Sequence, residues 1–300
     1  MKIAFLFAGQ GAQAVGMGKD FYDNFEFAKN CYDKFPIEKD LCFNGPQDKL
    51  TETKNAQPAM LLTGYVIASL LIQKGIKPEY VCGLSLGEYT ALATANTWDL
   101  ESALEIIRAR GDIMQNALPL GTSKMAAVIN MDRDAILNVI KDVDGVCEIA
   151  NYNCPGQIVI TGDNKGVDNA MVKLKEAGAK RVIELQVSGA FHSSLLIPAS
   201  KKLRSVLDKY ESNKPEYKVV YNVSGKEEDK PLNDILENQI CHSVYFEDTL
   251  RYLKDKGVDT FIEIGPGKSL SSFVNRTLTD VKCYNVSDLA GYNSLIENLK

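Results

Sequence analysis

Histidine is scarce in this 300-residue chain, occurring only at His192 and His242. Any chemistry that needs an imidazole base must draw on one of those two. Cysteine occurs seven times, at positions 31, 42, 82, 147, 154, 241 and 283, an odd and scattered set. None forms a C-x-x-C pair, so neither a zinc site nor a disulfide framework is indicated, and the thiols read as reduced and mostly buried in a cytoplasmic protein. Positive charge is in deficit: the formal net charge of −5 argues against a general nucleic-acid binder. A signal peptide is not expected, because Met1-Lys2 is followed only by a brief apolar run, Ile3 to Ala8, and then glycines. No apolar run approaches the roughly eighteen residues that would span a bilayer.

What is present is an ordinary globular composition with 45% hydrophobic residues, enough for a substantial core. The length suits one large domain, or a large one with a smaller companion. The most informative stretch is Cys82-Gly83-Leu84-Ser85-Leu86-Gly87-Glu88-Tyr89. It contains G-x-S-x-G between a short apolar strand (Tyr80-Val81-Cys82) and an apparent helix start (Glu88 to Thr94). A serine on such a sharp turn is held in strained backbone geometry, and close chain segments leave no room for side chains at the flanking glycines. The helix behind it would aim free N–H groups and the positive dipole end at charge forming near Ser85.

In chain order, Ile3 to Phe7 reads as a buried strand of a parallel sheet. Gly9-Gln10-Gly11-Ala12-Gln13-Ala14 formally matches the dinucleotide fingerprint, but the second strand with its acidic end is missing. Phe21 to Phe35 instead has helical spacing, so nicotinamide binding is rejected. Pro58 is expected in the first turn of a long helix over 59–74. Asp99 is the expected N-cap of a helix running to about Asn116 that carries Arg108 and Arg110. From 124 to 187 the order strand, helix, strand, strand, helix, strand is the split βαβ or ferredoxin-like motif. The expected organisation is therefore α/β, with a discontinuous large domain (1–123 and 190–300) and an inserted small one (124–189). The segment Ser188 to Ser193 leaves the insert, with a helix over 196–209, a strand at 219–221 and helical structure over 232–249 broken near Ser243. Phe261 to Ile264 is a strand running into Gly265-Pro266-Gly267-Lys268-Ser269. That loop imitates a phosphate-binding loop, yet Ile262 stands where its first glycine is required, so it is read as a turn before a helix.

A serine nucleophile needs a base, and His192, among small residues at the re-entry from the insert, is favoured over His242. No acidic third member is marked by the sequence. Gly9-Gln10-Gly11-Ala12-Gln13, Gly83 to Tyr89, Arg110, Gly189-Ala190-Phe191-His192-Ser193 and Glu263 to Gly267, in this order, resemble the malonyl-CoA:acyl carrier protein transacylase family over nearly the whole chain. The resemblance implies an α/β-hydrolase-like large domain. It also implies ping-pong transfer of an acyl group from a coenzyme A thioester to the phosphopantetheine thiol of a carrier protein, with no metal or redox cofactor. By the same resemblance Ser85 attacks, His192 is the base, and the Gln10 and Leu86 backbone N–H groups hold the oxyanion. Arg110 binds the malonyl carboxylate, and Phe191 crowds an α-methyl group. Leu84 stands beside the nucleophile where most relatives have histidine, and Tyr245 falls where the family places the residue whose carbonyl orients the base. A carrier protein would dock on basic residues such as Lys201, Lys202 and Arg204. The rival readings are an acyltransferase serving a polyketide carrier protein, a serine acyl hydrolase and a non-catalytic carrier-binding module.

Overall fold

The computed structural model describes residues 1–187 and 189–299; Ser188, where the segment was expected to leave the insert, lies outside them, as does Lys300. Five strands form a wholly parallel sheet: β1 (Ile3–Phe7), β2 (Tyr80–Gly83), β7 (Lys218–Val219), β9 (Thr260–Ile264) and β10 (Lys282–Val286), in the order β10-β9-β1-β2-β7. The uniform apolarity of β1 follows from burial on both faces. Ile3, Phe5 and Phe7 enter one core cluster while Ala4 and Leu6 enter the other.

The second sheet holds β3 (Ser123–Ile129), β4 (Cys147–Cys154), β5 (Gln157–Asp163) and β6 (Arg181–Glu184). Their mutual pairing is antiparallel in the order β6-β3-β5-β4, as the split βαβ reading requires. Helices Arg133–Ile140 and Asn164–Glu176 cover one face, closing a separate core of Ala126, Val128, Ile136, Ile160, Val167 and Leu174. The other face is not free, since Met125, Ala150 and Val159 belong to the large core. A two-residue strand from the far end of the chain, β8 (Val244–Tyr245), adds to this sheet in parallel with β4. The chain is thus an α/β fold of two subdomains, one built on a parallel and one on a mixed sheet.

Several element boundaries differ from expectation. The helix containing Pro58 begins earlier, at Thr53, and runs to Gln73. Its polar first turn is drawn in by a close crossing with helix Leu100–Gln115, where a Cβ on Gly111 would lie 2.9 Å from Lys54 Cα. Contrary to the expectation that no stretch is long enough, this helix could cross a membrane by length and composition, yet 78% of its most apolar window is buried in the fold. The aromatic stretch 21–35 forms two helices, Lys19–Asn24 and Glu26–Lys34, that break at the extended Phe25. The 232–249 stretch splits into helices Leu232–Gln239 and Phe246–Asp255 with β8 between them.

Candidate active site

Ser85 stands at the end of β2 as N-cap of helix Leu86–Thr94, with φ 55° and ψ −104°, a conformation costing a side-chain-bearing residue about 1–3 kcal/mol. The flanking glycines are required sterically. A Cβ on Gly83 would lie 2.2 Å from the Gly87 carbonyl carbon, and one on Gly87 2.2 Å from the Phe7 carbonyl oxygen. The turn thus nests against the end of β1, and Leu84 packs on Gly9 across it.

Ser85 Oγ lies 2.8 Å from His192 Nε2. His192 Nδ1 lies 2.8 Å from the Gln239 carbonyl oxygen, which can only accept. Nδ1 therefore carries the proton, and Nε2 is left as the acceptor for the serine hydroxyl. The base is oriented by a backbone carbonyl, not by an acid. That carbonyl belongs to the last residue of helix Leu232–Gln239, where carbonyls lack intrahelical partners, and the His192 N–H is bound by the next one, Ile240 O, at 3.0 Å. Tyr245 does not have the orienting role expected of it. It lies beyond the helix end in β8, with its ring stacked on Tyr152 at 5.0 Å and its N–H donated to Asn222 O.

The pair Ser85–His192 consequently sits between the N-terminus of one helix and the C-terminus of another. Proton transfer from serine to histidine creates negative charge at the first end and positive charge at the second, and both dipoles favour that separation. In the resting protein the imidazole is neutral: burial, and then the Arg110 charge, hold its pKa down at about 4.

Arg110 is fully buried. Its Nη1 donates to Gln57 Oε1 (2.7 Å), and its Nη2 donates to Gln239 Oε1 (2.8 Å) and to Ser85 Oγ (3.1 Å). The guanidinium lies over the Tyr89 ring at 5.0 Å. These direct partners are neutral, which leaves a buried cation beside the nucleophile able to take an anionic group. Gln239 also donates from Nε2 to Ser85 O at 2.8 Å, so one residue touches nucleophile, base and cation. Sequence reasoning missed Gln239, Gln57 and Asn222. Asn222 accepts the Ser85 N–H on Oδ1, and two of Gln239's roles use backbone or amide groups that carry no motif.

A cleft of about 370 Å³ opens over the pair, lined from the large subdomain by Gly9, Gln10, Leu84, Ser85, Phe191 and His192 and from the small one by Met125, Asn151, Asn153 and Val159. Gln10 is held by its side chain on Thr53 Oγ1 at 3.0 Å. Neither its backbone N–H nor that of Leu86 bonds to another backbone carbonyl among the described residues. His242 is apart from the cleft, its Nδ1 3.0 Å from Asn238 O. At the helix start behind the Gly265–Ser269 loop, Glu263 accepts the N–H groups of Leu270 (3.0 Å) and Ser271 (2.8 Å). Lys201 and Arg204 are engaged by Glu237, Asp208 and Asp234, which reduces the positive field they could offer a carrier protein. Among the described residues, no group of three or more His, Cys, Asp or Glu could hold a metal ion.

Comparison with known proteins identifies the family. The family model for the acyl transferase domain matches residues 4–295. A malonyl CoA-acyl carrier protein transacylase of Bacillus subtilis is 41% identical, covering 100% of this chain and 98% of its own. The crystal structure of the Clostridium perfringens malonyl CoA-acyl carrier protein transacylase superposes with a TM-score of 0.96 at 40% identity, covering 100% of this chain and 97% of that one. A malonyl-transacylase solved in complex with its type II polyketide acyl-carrier protein superposes with a TM-score of 0.96 at 33% identity, covering 99% and 100%. The chain belongs to the acyl transferase domain family and, within it, to the malonyl-CoA:acyl carrier protein transacylases.

Proposed function

We propose that this chain transfers a malonyl group from malonyl-CoA to the phosphopantetheine thiol of an acyl carrier protein, through a malonyl-serine intermediate. The observation that carries the reading is the convergence on Ser85 Oγ of a neutral base at 2.8 Å and a buried guanidinium at 3.1 Å. Ser85 Oγ attacks the thioester carbonyl while His192 Nε2 takes its proton. The Leu86 and Gln10 N–H groups receive the oxyanion, and the proton on His192 leaves with the coenzyme A thiolate. The carrier thiol then gives its proton to His192 and attacks the malonyl ester, and the same proton returns to Ser85 Oγ. Arg110 holds the malonyl carboxylate as a bidentate pair, a geometry suited to guanidinium, and Phe191 and Leu84 bound the space beside it. The coenzyme A thioester is a substrate, and no further cofactor enters.

The reading includes a cytoplasmic location beside the carrier protein, and a division of the chain into a large domain (1–123 and 190–300) and a small one (124–189). Intact-protein mass after brief mixing with malonyl-CoA tests it. The expected result is a malonyl adduct that is absent in Ser85→Ala and disappears when carrier protein is added. Absence of an adduct in folded protein would overturn the reading, and release of the adduct to water at the same rate with and without carrier would make the protein a hydrolase. Because one solved relative is bound to a polyketide carrier protein, transfer should be compared on carriers of both pathways.

A further inference from the structure

The backbone of β2 is held by β7 through a regular ladder. Lys218 N donates to Glu79 O and Val220 N to Val81 O, both at 3.1 Å. Two residues on in each strand the ladder should continue from residue 222 to Gly83, but there β2 turns sharply into the nucleophile. The rung is made by a side chain instead. Asn222 Nδ2 donates to Gly83 O and Asn222 Oδ1 accepts from Ser85 N, each at 2.7 Å, so one amide bridges the peptide groups on either side of Leu84. The Asn222 backbone N–H, released from the ladder, donates to the carboxylate of Glu88, which lies on the helix that Ser85 caps. The Asn222 carbonyl accepts from Tyr245 N at 2.8 Å. Asn222 is 1% and Glu88 0% exposed, so water cannot replace these bonds.

Resting on the reading under Proposed function, we propose that Asn222, anchored by Glu88, is the positioning residue of the nucleophile. Its side-chain amide fixes the strained Ser85 backbone so that Oγ faces His192 and the Leu86 N–H faces the forming oxyanion. The closed circuit from Ser85 N–H through Asn222 to Glu88 and back along one helical turn leaves the elbow no low-energy way to relax. Burial pushes the Glu88 carboxyl up to about 8, against the opposing pull of the Asn222 N–H and Arg110.

The test compares wild type, Asn222→Ala and Asn222→Asp by three measurements: acylation rate with malonyl-CoA, labelling rate with a serine-reactive fluorophosphonate, and malonyl-CoA affinity with Ser85→Ala added to each. A displaced nucleophile is expected to slow both reactions of Asn222→Ala by about 10²-fold. Affinity should stay within about twofold, because the thioester and carboxylate sites do not include Asn222. Asn222→Asp keeps an acceptor for the Ser85 N–H and loses the donor to Gly83 O, so its rates should fall roughly tenfold and lie between the other two. Wild-type rates in either variant, or a loss that follows affinity or the folded fraction alone, would overturn the proposal. If Asn222→Ala does not fold, the position of Asn222→Asp decides. The phosphonate arm is independent of the acyl donor: wild type that is labelled by phosphonate but not acylated by malonyl-CoA would defeat the transferase reading and leave the positioning claim standing on its own rates.

Discussion

His192 is pulled in two directions, and the balance depends on what Arg110 is bound to. Burial and the nearby guanidinium lower its pKa to about 4, while the Gln239 carbonyl favours the charged ring. In the free protein kcat/KM should therefore stay level in mild acid and fall with an apparent pKa near 4. An inflection at the ordinary histidine value would contradict the assigned burial. A malonyl carboxylate on Arg110 cancels the charge that depresses His192, so the acid limb of kcat should lie at higher pH for malonyl-CoA than for acetyl-CoA. The base would then gain strength as the right substrate arrives. For stability the sign is opposite to that of a salt-bridged histidine. The unfolded imidazole takes a proton below the ordinary 6.5 and the folded one only near 4, so this contribution is intact above 6.5 and is lost as pH falls between the two. Arg110→Lys should lower kcat/KM for malonyl-CoA by about 10–100-fold, since a compact ammonium lacks the planar fork that reaches Gln57 and Gln239 and matches a carboxylate. Equal rates on malonyl-CoA and acetyl-CoA in that variant would show that the carboxylate anchor is the part removed. Ser85 and His192 could be read from sequence because one lies in a motif and the other is one of only two histidines. The partner of His192 could not, because any residue type can supply a backbone carbonyl.

At the scale of elements, the site depends on how closely the ends of β1, β2 and helix Leu86–Thr94 approach. Gly87→Ala would force its Cβ against the Phe7 carbonyl oxygen and part helix from strand, at a cost of roughly 1–3 kcal/mol, seen as a lowered Tm and slower acylation. An unchanged Tm would mean that the contact relaxes freely. Long periodic elements and the elbow were legible for the same reason: their packing is local and repeats. The early start of the Pro58 helix was not, since its first turn is held by the crossing at Gly111, a contact between residues far apart in sequence. Nor did β8 have a signature, because two residues cannot show a period.

Across the whole molecule, the cleft has walls from both subdomains, so its width depends on the seam between them. At that seam Arg133 of the small subdomain stacks on Tyr152 at 3.9 Å and pairs with Asp248 of helix Phe246–Asp255 at 2.6 Å. Beside it Ser243 Oγ donates to Ile149 O, and Arg276 Nη2 reaches Pro155 O at 2.9 Å. Arg133→Ala should cost about 1 kcal/mol of stability and raise KM for malonyl-CoA more than it lowers kcat, because the walls loosen while the dyad stays on the large subdomain. A fall in kcat at constant KM would place the effect in the dyad instead.

The addition of β8 to the second sheet also covers backbone and core surface that would otherwise be open. A shortened protein joining 1–123 to 190–300 would keep Ser85, His192, Arg110, Asn222 and Gln239. It would also lay bare the backbone of Val244–Tyr245 and the core surface now covered by Met125, Ala150 and Val159. An uncapped edge next to an apolar face is a template for pairing with a neighbour. The inserted subdomain is therefore a stopper as well as a wall, and a minimised version of this protein would be expected to clump before it could be assayed.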